Sequence, residues 1–253
     1  MKVLAAVIVL IAVLFASLSS AQADTKVWIL WGQSVLSSGL PSELSLKWNK
    51  IPANTEVWTD TNNIGLKKLT TFNAQAKVGP EVGFAVSIST MYPADQHIII
   101  RYSFGGTAMD RWTVGKDLYY GLLDAISLAV NGRNVKYMAI LSDQGETDSQ
   151  KLALTQQYQS RMTAMMPALR AALGNPDLPW FICIDCSNNS IMPYSLQIAA
   201  SQLTLVATGG GSVWGIEYTS LPHLPDLIEL TTGGVVQLGS LMAYYVQISG
   251  LCN

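Results

Sequence analysis

The chain has little charge, few histidines and few cysteines, and each scarcity excludes a class of protein. Only 13% of its 253 residues are charged, the formal net charge is −2, and no basic run occurs. Nucleic-acid binders carry clustered lysine and arginine, so we expect no nucleic-acid partner. Two histidines and three cysteines offer few nitrogen and sulfur ligands, so we expect neither a metal site nor a cofactor.

Long hydrophobic runs are also scarce, because only one stretch approaches the length of a membrane span. It covers residues 3–18, follows Lys2 and precedes an A-x-A sequence at residues 21–23. This arrangement is typical of a cleaved secretory signal, and an uncleaved membrane anchor is the alternative. We predict a signal peptide over residues 1–23 and one domain over residues 24–253. After cleavage that domain is secreted or periplasmic and has no membrane partner.

The three cysteines are Cys183, Cys186 and Cys252. The first two form a C-x-x-C sequence at the end of an apolar run. In an exported protein, oxidising conditions favour disulfides, so three thiols predict one disulfide and one buried free cysteine. The sequence leaves the pairing open.

Short apolar runs alternate along the chain with segments of helical spacing. Continuous apolar runs of this length suit strands that are buried on both faces of a parallel sheet. The predicted strands are residues 26–31, 97–103, 136–142, 180–185 and 212–218. The predicted helices are residues 81–91, 116–130, 150–173, 193–206 and 234–246. The alternation predicts a single α/β domain, a three-layer α/β/α sandwich around a central parallel sheet.

Three polar clusters follow predicted strands, at residues 32–34, 103–107 and 142–148. Ligand sites in parallel α/β sheets lie beyond the carboxyl ends of the strands, so we expect the three clusters to meet at one rim. His97 begins a predicted strand and therefore lies at the opposite end of the sheet.

Ser34 is the candidate nucleophile of this rim. A serine hydroxyl needs a base to accept its proton and donors to stabilise the oxyanion that forms. The backbone of Gly105 and Gly106 and the side-chain amide of Gln144 are candidate donors. Each feature also has a structural interpretation, because serine caps helices, paired glycines form turns and polar loops are solvated.

Four segments occur in the order seen in one known family: WGQSVLSSG, VGPEVGFAVSI, RYSFGGTAMDRW and DQGETDS. Over residues 27–243 the chain resembles the SGNH-type esterases of the sialate O-acetylesterase and acetylxylan esterase group. The resemblance implies a flavodoxin-like SGNH hydrolase fold and the removal of O-acetyl groups from carbohydrates.

The same resemblance gives roles to individual residues. It implies that Ser34 is the nucleophile and that its own N–H, Gly106 and Gln144 form the oxyanion hole. Glu81 matches a family position near the rim of the active site. Glu146 matches the acidic residue of the family's Gln-Gly-Glu segment.

The sequence departs from the family at the expected base. The family has an Asp, two residues and a His at this point, and here Asp226 fits while Glu229 occupies the histidine position. Two further departures concern the rim. Ser142-Asp143 replaces the family's Trp-His, and Val35 replaces an asparagine.

Three interpretations of the missing histidine are open. Glu229 acts as the base if burial or the neighbouring Asp226 raises its pKa. Alternatively, His223 reaches the rim and is oriented by Asp226 or Glu229, although a surface loop histidine is the simpler interpretation. In the third, hydrolysis is lost and the pocket binds glycans without cleaving them.

Aromatic side chains near the rim are candidate sugar-stacking surfaces in any of these cases, although aromatic residues in such strands are more often part of the core; they are Trp31, Trp112 and Tyr102. We predict a serine carboxylic-ester hydrolase that acts on acetylated carbohydrate. The alternative is a catalytically degenerate member of the same fold that binds glycans.

Overall fold

A computed structural model describes residues 25–62, 64–187, 190–226 and 228–251. The predicted signal peptide and Cys252 lie outside the described residues. Cys183 is buried, Cys186 is exposed, and the two thiols are not bonded to each other, so the expected disulfide stays a prediction. In the same part of the chain, no helix has the length and apolar composition to cross a bilayer.

A seven-stranded sheet forms the middle layer. Its strands are β1 (Thr25–Gly32), β2 (Thr55–Thr61), β3 (Lys67–Lys68), β4 (Gln96–Ser103), β5 (Lys136–Asp143), β6 (Trp180–Ile184) and β7 (Val213–Glu217). They are ordered β3-β2-β4-β1-β5-β6-β7 across the sheet. All neighbouring pairs are parallel except the edge pair of β2 and β3, which is antiparallel. The predicted parallel sheet is confirmed, with β3 as an antiparallel addition.

The strands that sequence reasoning found are the apolar ones. Each of β1, β4, β5, β6 and β7 begins and ends within one residue of its prediction. β2 was missed because its sequence, TEVWTDT, alternates buried and half-buried side chains instead of forming an apolar run. β3 consists of two exposed lysines and offers no hydrophobic signal.

Five helices cover the two faces of the sheet. They are α1 (Glu81–Met91), α2 (Asp117–Val130), α3 (Leu152–Ala172), α4 (Ser195–Thr208) and α5 (Thr232–Ser249). Their ends agree with the predicted helices to within three residues. α1 and α5 pack on one face and α2, α3 and α4 pack on the other, so the predicted three-layer α/β/α sandwich is confirmed.

The alternation of side chains along β1 supplies both hydrophobic cores. Val27, Ile29 and Trp31 face the layer of α2, α3 and α4. Trp28 and Leu30 face the layer of α1 and α5. Because both faces of this central strand are buried, its carboxyl end is held rigidly where the next residues, Gln33 and Ser34, leave the sheet.

Candidate active site

The three polar clusters meet at the carboxyl ends of β1, β4 and β5. The backbone N–H of Gln33 donates to the carbonyl of Asp143 at 3.0 Å, and that of Phe104 donates to the carbonyl of Gly32 at 2.8 Å. The Thr147 hydroxyl donates to Oε1 of Gln33 at 2.6 Å. The predicted common rim is confirmed.

Gly32 allows β1 and β5 to approach this closely. Its φ is +153°, and a Cβ at this position would lie 1.8 Å from the carbonyl oxygen of Asp143. Any side chain would therefore push the two strand ends apart. Steric exclusion of any side chain therefore explains why a glycine precedes Gln33 and Ser34.

Ser34 begins a 3₁₀ turn, Ser34–Ser37, directly after β1. The residue is half-buried. Its carbonyl accepts a hydrogen bond from the Ser37 hydroxyl at 3.4 Å, whereas its Oγ and its backbone N–H make no hydrogen bond to another described residue. A free hydroxyl and a free N–H at the end of a buried strand are available to a ligand.

The loop after β4 lies against this turn. A Cβ on Gly105 would be 3.4 Å from the Cβ of Ser34, and the Gly105 N–H donates to Oδ1 of Asn62 at 2.9 Å. Gly106 follows with φ +69° and is exposed. Its N–H has no acceptor among the residues that the structure describes. The loop that touches Ser34 through Gly105 thus carries a second backbone donor without a partner in the described chain.

The Gln144 side chain is buried behind this loop. Its Nε2 donates to the carbonyl of Thr107 and to Oδ2 of Asp148, each at 3.0 Å. Both N–H bonds of the amide are therefore used within the protein. Burial, opposed by the bond from Gln144, raises the pKa of Asp148 to about 6. This arrangement ties the end of β5 to the Gly106 loop.

The candidate bases lie on the loop between β7 and α5. His223 and Leu230 form an isolated antiparallel bridge within this loop. The hydroxyl of Ser38, just after the Ser34 turn, donates to the carbonyl of Leu230 at 2.9 Å. Glu229, next to Leu230, is therefore held beside the serine turn with His223 across the bridge.

The His223 ring is held by its surroundings. Nδ1 lies 2.6 Å from the carbonyl oxygen of Leu221, which can only accept, so we assign the proton to Nδ1 and the lone pair to Nε2. Nε2 is buried and has no partner among the described residues. The ring stacks on Tyr218 with centroids 6.3 Å apart.

The two acidic residues of the loop behave differently. Asp226 is exposed, and its Oδ1 accepts the backbone N–H groups of Ile228 and Glu229 at 2.9 and 3.1 Å. It stabilises its own loop and does not contact His223. The Glu229 carboxylate is half-buried and bonds to no described residue. None of these three side chains forms a hydrogen bond with the Ser34 hydroxyl.

A buried ion pair lies on the β4 side of Ser34. Nε of Arg101 is 2.9 Å from Oε2 of Glu81, and both side chains are 0% exposed. Arg101 also donates to the carbonyl of Leu36 at 2.8 Å, to Oε1 of Gln75 at 2.8 Å and to the carbonyl of Lys77 at 3.0 Å. We call this group the arginine cluster. Since Leu36 belongs to the serine turn, the bond from Arg101 ties that turn to β4.

Sequence reasoning named Glu81 from its family position and missed Arg101. A signal existed, because Arg101 is the one formally charged residue in the strand sequence QHIIIRYS. A charge inside a buried parallel strand requires a buried partner. The identity of that partner depends on the fold and was not readable from the sequence.

A small cavity lies on the other side, at the ends of β5, β6 and β7. It has a volume of about 30 Å³. We call it the acid cavity, because its lining includes three carboxylic acids, Asp143, Glu146 and Asp185. The hydroxyl of Tyr218 donates to Oδ1 of Asp143 at 3.2 Å, and Gln202 of α4 completes the wall.

Burial governs the electrostatics of the acid cavity. Burial first, and then the charge of Asp185, raise the pKa of Asp143 to about 8. The pKa of Glu146 is raised well above its ordinary value by burial and by Asp143. Among the described residues no three His, Cys, Asp or Glu side chains are arranged to hold a metal ion.

The three aromatic residues expected to stack on sugars do not lie at the surface. Trp31 and Trp112 are 0% exposed and Tyr102 is 3% exposed. The two tryptophan rings pack together with centroids 4.8 Å apart, and Tyr102 meets Trp112 edge to face. The sugar-stacking prediction is wrong, because these side chains fill the core beneath α2 and α3.

Comparisons with known proteins identify the family and the fold. A family model described as carbohydrate esterase, sialic acid-specific acetylesterase, matches residues 24–247. A "Probable carbohydrate esterase" of Arabidopsis thaliana is 26% identical over 219 residues, which are 85% of this chain and 76% of that protein.

Solved structures share the fold. A protein from Arabidopsis thaliana superposes with a TM-score of 0.74 at 21% identity, over 90% of this chain and 99% of that one. A carbohydrate acetylesterase from Xanthomonas citri superposes with a TM-score of 0.66 at 16% identity, over 87% of this chain and 56% of the other. With the family model covering most of its length, the chain belongs to the carbohydrate esterase family of sialic acid-specific acetylesterases.

Proposed function

We propose that the protein is a serine carboxylic-ester hydrolase that removes O-acetyl groups from carbohydrates, with Ser34 as its nucleophile. One observation carries the proposal: the half-buried Ser34 leaves a rigid strand with a free hydroxyl. The backbone N–H groups of Ser34 itself and of Gly106, in the loop that lies against Ser34, bond to no described residue. Family membership supports the substrate class, and the carbohydrate acetylesterase from Xanthomonas citri is a structural neighbour.

The proposed reaction has two steps. The Ser34 oxygen attacks the acetyl carbonyl carbon while a base takes the hydroxyl proton, and the sugar alcohol leaves with that proton. Water then attacks the acetyl-enzyme while the base takes a proton from it. The base returns that proton to the Ser34 oxygen as the bond to the acetyl group breaks, and acetic acid leaves and ionises to acetate. The N–H groups of Ser34 and Gly106 stabilise the oxyanion in both steps, and donors placed in this way lower the barrier to acyl transfer strongly.

Gln144 takes a different part in this proposal from the one that the family resemblance implies. Its two N–H bonds are already donated to Thr107 and Asp148, so the oxyanion is left to the backbone donors. Gln144 then acts by positioning the loop that presents Gly106.

We propose His223 as the base and Glu229 as its competitor. The carbonyl of Leu221 holds Nδ1, which leaves Nε2 as the acceptor, and this is the tautomer that a serine base requires. In this scheme Leu221 takes the orienting role expected of Asp226, because Asp226 is bonded to its own loop. The scheme requires the loop to bring Nε2 to Ser34 when substrate binds, and catalytic hydrogen bonds often shorten only at that stage.

A phosphonate ester that labels activated serines tests the nucleophile. We expect one label on the purified chain, mapped by mass spectrometry to Ser34, and none on Ser34→Ala. Ser42→Ala is the matched control, because Ser42 is an exposed serine that lies just beyond the serine turn. Labelling that persists in Ser34→Ala would contradict the proposal.

The base is identified by comparing His223→Gln with Glu229→Gln. We expect His223→Gln to lower the labelling rate and kcat by about 10²-fold or more, within the range of general-base catalysis, while Glu229→Gln changes them by less than about tenfold. The reverse order would make Glu229 the base.

The structure also favours one alternative, a glycan-binding protein without hydrolysis. The observation behind it is that no base in the described part of the chain lies within hydrogen-bond distance of the Ser34 hydroxyl. Absence of labelling and of acetate release, together with calorimetric binding of an acetylated oligosaccharide, would favour this alternative.

We further propose that the protein is exported and cleaved after Ala23. The family match begins at residue 24, directly after the predicted cleavage site. Amino-terminal sequencing of the protein from the medium or periplasm should begin at Asp24. An intact Met1 in a membrane fraction would support the anchored alternative.

A further inference from the structure

The acid cavity is lined by hydrogen-bond acceptors that receive no hydrogen bond from the described residues. Oδ2 of Asp143, Oε1 of Gln144, Oε1 of Gln202 and both carboxylate oxygens of Glu146 are buried, and none has a partner within the described chain. All four residues line the cavity. Asp143, Gln144 and Gln202 are each no more than 3% exposed, so bulk water does not solvate them.

The orientation of the two amides is fixed by their other ends. Nε2 of Gln144 donates to a carbonyl and to the Asp148 carboxylate. Nε2 of Gln202 donates to the carbonyl of Gln144 at 3.0 Å and to the Tyr158 hydroxyl at 3.2 Å. Turning either amide over would set oxygen against oxygen, so the acceptor oxygens stay on the side of the cavity.

The described residues that line the cavity include no lysine, arginine or histidine. Buried acceptors without donors are costly, and buried carboxylates are more costly still. A group that brings positive charge and several N–H or O–H donors would therefore gain a large interaction energy here. This is the opposite of the arginine cluster, where the chain supplies the cation itself.

We propose that the acid cavity binds an ammonium head group, either the free ion or the primary amine of a small molecule such as an amino sugar. An –NH₃⁺ group has three donors and carries the charge that these acceptors lack. A divalent metal fits less well, because no three suitable ligands are arranged to hold one in the described chain. This proposal does not depend on hydrolysis by Ser34.

The size of the cavity limits the ligand. Its volume of about 30 Å³ exceeds the roughly 10–15 Å³ needed by a water-sized group. An ammonium head group fits, whereas a sugar ring must remain outside. The cavity adjoins the serine turn through Asp143, whose carbonyl accepts the N–H of Gln33. An amine bound here would thus lie on the β5 side of the nucleophile.

Protons compete with this ligand. The titratable groups that face the cavity are Asp143 and Glu146 at the end of β5, Cys183 and Asp185 at the end of β6, and Tyr218 after β7. Burial raises the pKa of Asp143 to about 8, so its carboxyl is protonated in neutral solution and ionised above that pH. A simple alkylamine such as methylamine keeps its proton to about pH 10.4, as the lysine side chain does, whereas the oxygens of an amino sugar lower the pKa of its amine. Affinity for ammonium should therefore rise between about pH 6.5 and 8.5.

Calorimetry and thermal unfolding with ammonium chloride, methylammonium chloride and glucosamine test the proposal at constant ionic strength. Tetramethylammonium chloride is the control, since it has the charge but no N–H donor. We expect saturable binding and a raised Tm with the first two, and tighter binding of glucosamine if an amino sugar is the natural source. Sodium, potassium and calcium chlorides test whether cations without N–H donors bind in the same cavity.

At about pH 8.5, where Asp143 is ionised, Asp143→Asn should weaken ammonium binding at least about tenfold because it removes a charged acceptor. Glu146→Gln should also weaken binding, because it replaces one acceptor oxygen by an N–H donor. Asp124→Asn loses the same formal charge from the exposed face of α2 and should leave binding unchanged. Three results would overturn the proposal. The first is no saturable binding of ammonium to the wild-type chain at about pH 6.5 or at about pH 8.5. The others are equal binding of tetramethylammonium and tighter binding of a metal cation than of ammonium.

Discussion

Two groups of buried charge flank the serine turn, and they are balanced in opposite ways. In the arginine cluster, Arg101 faces Glu81 at 2.9 Å, and its remaining donors reach carbonyl and side-chain oxygens. In the acid cavity, Asp143 and Glu146 keep oxygens without partners in the described chain. A buried charge is stable where the chain provides its counter-ion, and elsewhere it requires a proton or a ligand.

Because of this difference, the arginine side of the rim is held firmly, whereas the acid side can respond to pH and to cations. The arginine cluster bonds to the carbonyl of Leu36 and so holds the turn that carries Ser34. The acid cavity is joined to Gln33, just before the same turn, through the backbone bond of Gln33 to Asp143 and through the hydroxyl of Thr147, which follows Glu146. We therefore expect the arginine side to determine stability and the acid side to determine the response to pH and to cations.

The largest expected effect is a loss of stability when the cation of the arginine cluster is removed. Arg101→Met leaves Glu81 as an uncompensated buried charge, which should lower the free energy of unfolding by about 3–5 kcal/mol. Urea unfolding followed by circular dichroism measures the change. Arg111→Met is the matched control, since its pair with Asp117 is exposed and should contribute at most about 1 kcal/mol. Equal losses in both variants would remove the contrast.

The second-largest effect is a stabilisation, and it is expected when Asp143 of the acid cavity is replaced. Since the pKa of folded Asp143 is about 8 and the ordinary value is 3.8, the native state holds more protons than the unfolded state between these values. Stability should therefore fall as pH rises from about 4 to about 8. Asp143→Asn should flatten this slope and stabilise the protein by about 1–3 kcal/mol at pH 9 in ammonium-free buffer.

That prediction is checked by urea unfolding of both proteins at several pH values. A wild-type free energy of unfolding that rises over the same pH range would contradict a raised pKa for Asp143. An unchanged slope in Asp143→Asn would assign the pH dependence to another group.

A smaller effect is expected at the Gly106 loop, which Gln144 ties to the end of β5. Gly106 has φ +69° and open space where a Cβ would lie, so Gly106→Ala should cost about 1 kcal/mol through the left-handed backbone alone. Because the N–H is kept, kcat/KM should fall by less than about tenfold. A loss of about 10²-fold or more would mean that the side-chain position itself meets the substrate.

The smallest effect is expected at the serine between the two regions. The Ser34 hydroxyl bonds to no described residue, so Ser34→Ala should change the free energy of unfolding by no more than about 0.5 kcal/mol. Urea unfolding gives the value. A larger destabilisation would assign this hydroxyl a structural role that competes with its proposed use as a nucleophile.

The sequence predicted the parts of the molecule that depend on local patterns. Apolar runs predicted β1, β4, β5, β6 and β7, while β2 was missed because its alternating side chains lie near the edge of the sheet. The converging clusters at Ser34 and Gly105 were found because strand ends share one rim. These inferences need only the order of residues along the chain.

The parts that the sequence could not supply depend on pairing between distant segments. Arg101 and Glu81 meet only after β4 and α1 are packed. Asp143, Asp185 and Tyr218 come from three strand ends. The aromatic prediction failed for the same reason, because Trp31 and Trp112 are buried by helices that composition does not position.

Acetate release tests the central claim of a Ser34-dependent esterase most directly. Purified residues 24–253 and the Ser34→Ala variant, both shown to be folded by circular dichroism, are compared on an activated acetyl ester, acetylated xylan and O-acetylated sialic acid. The account predicts release by the wild type and a loss of about 10³-fold or more in Ser34→Ala on the same substrate. Equal rates for the two proteins would contradict it.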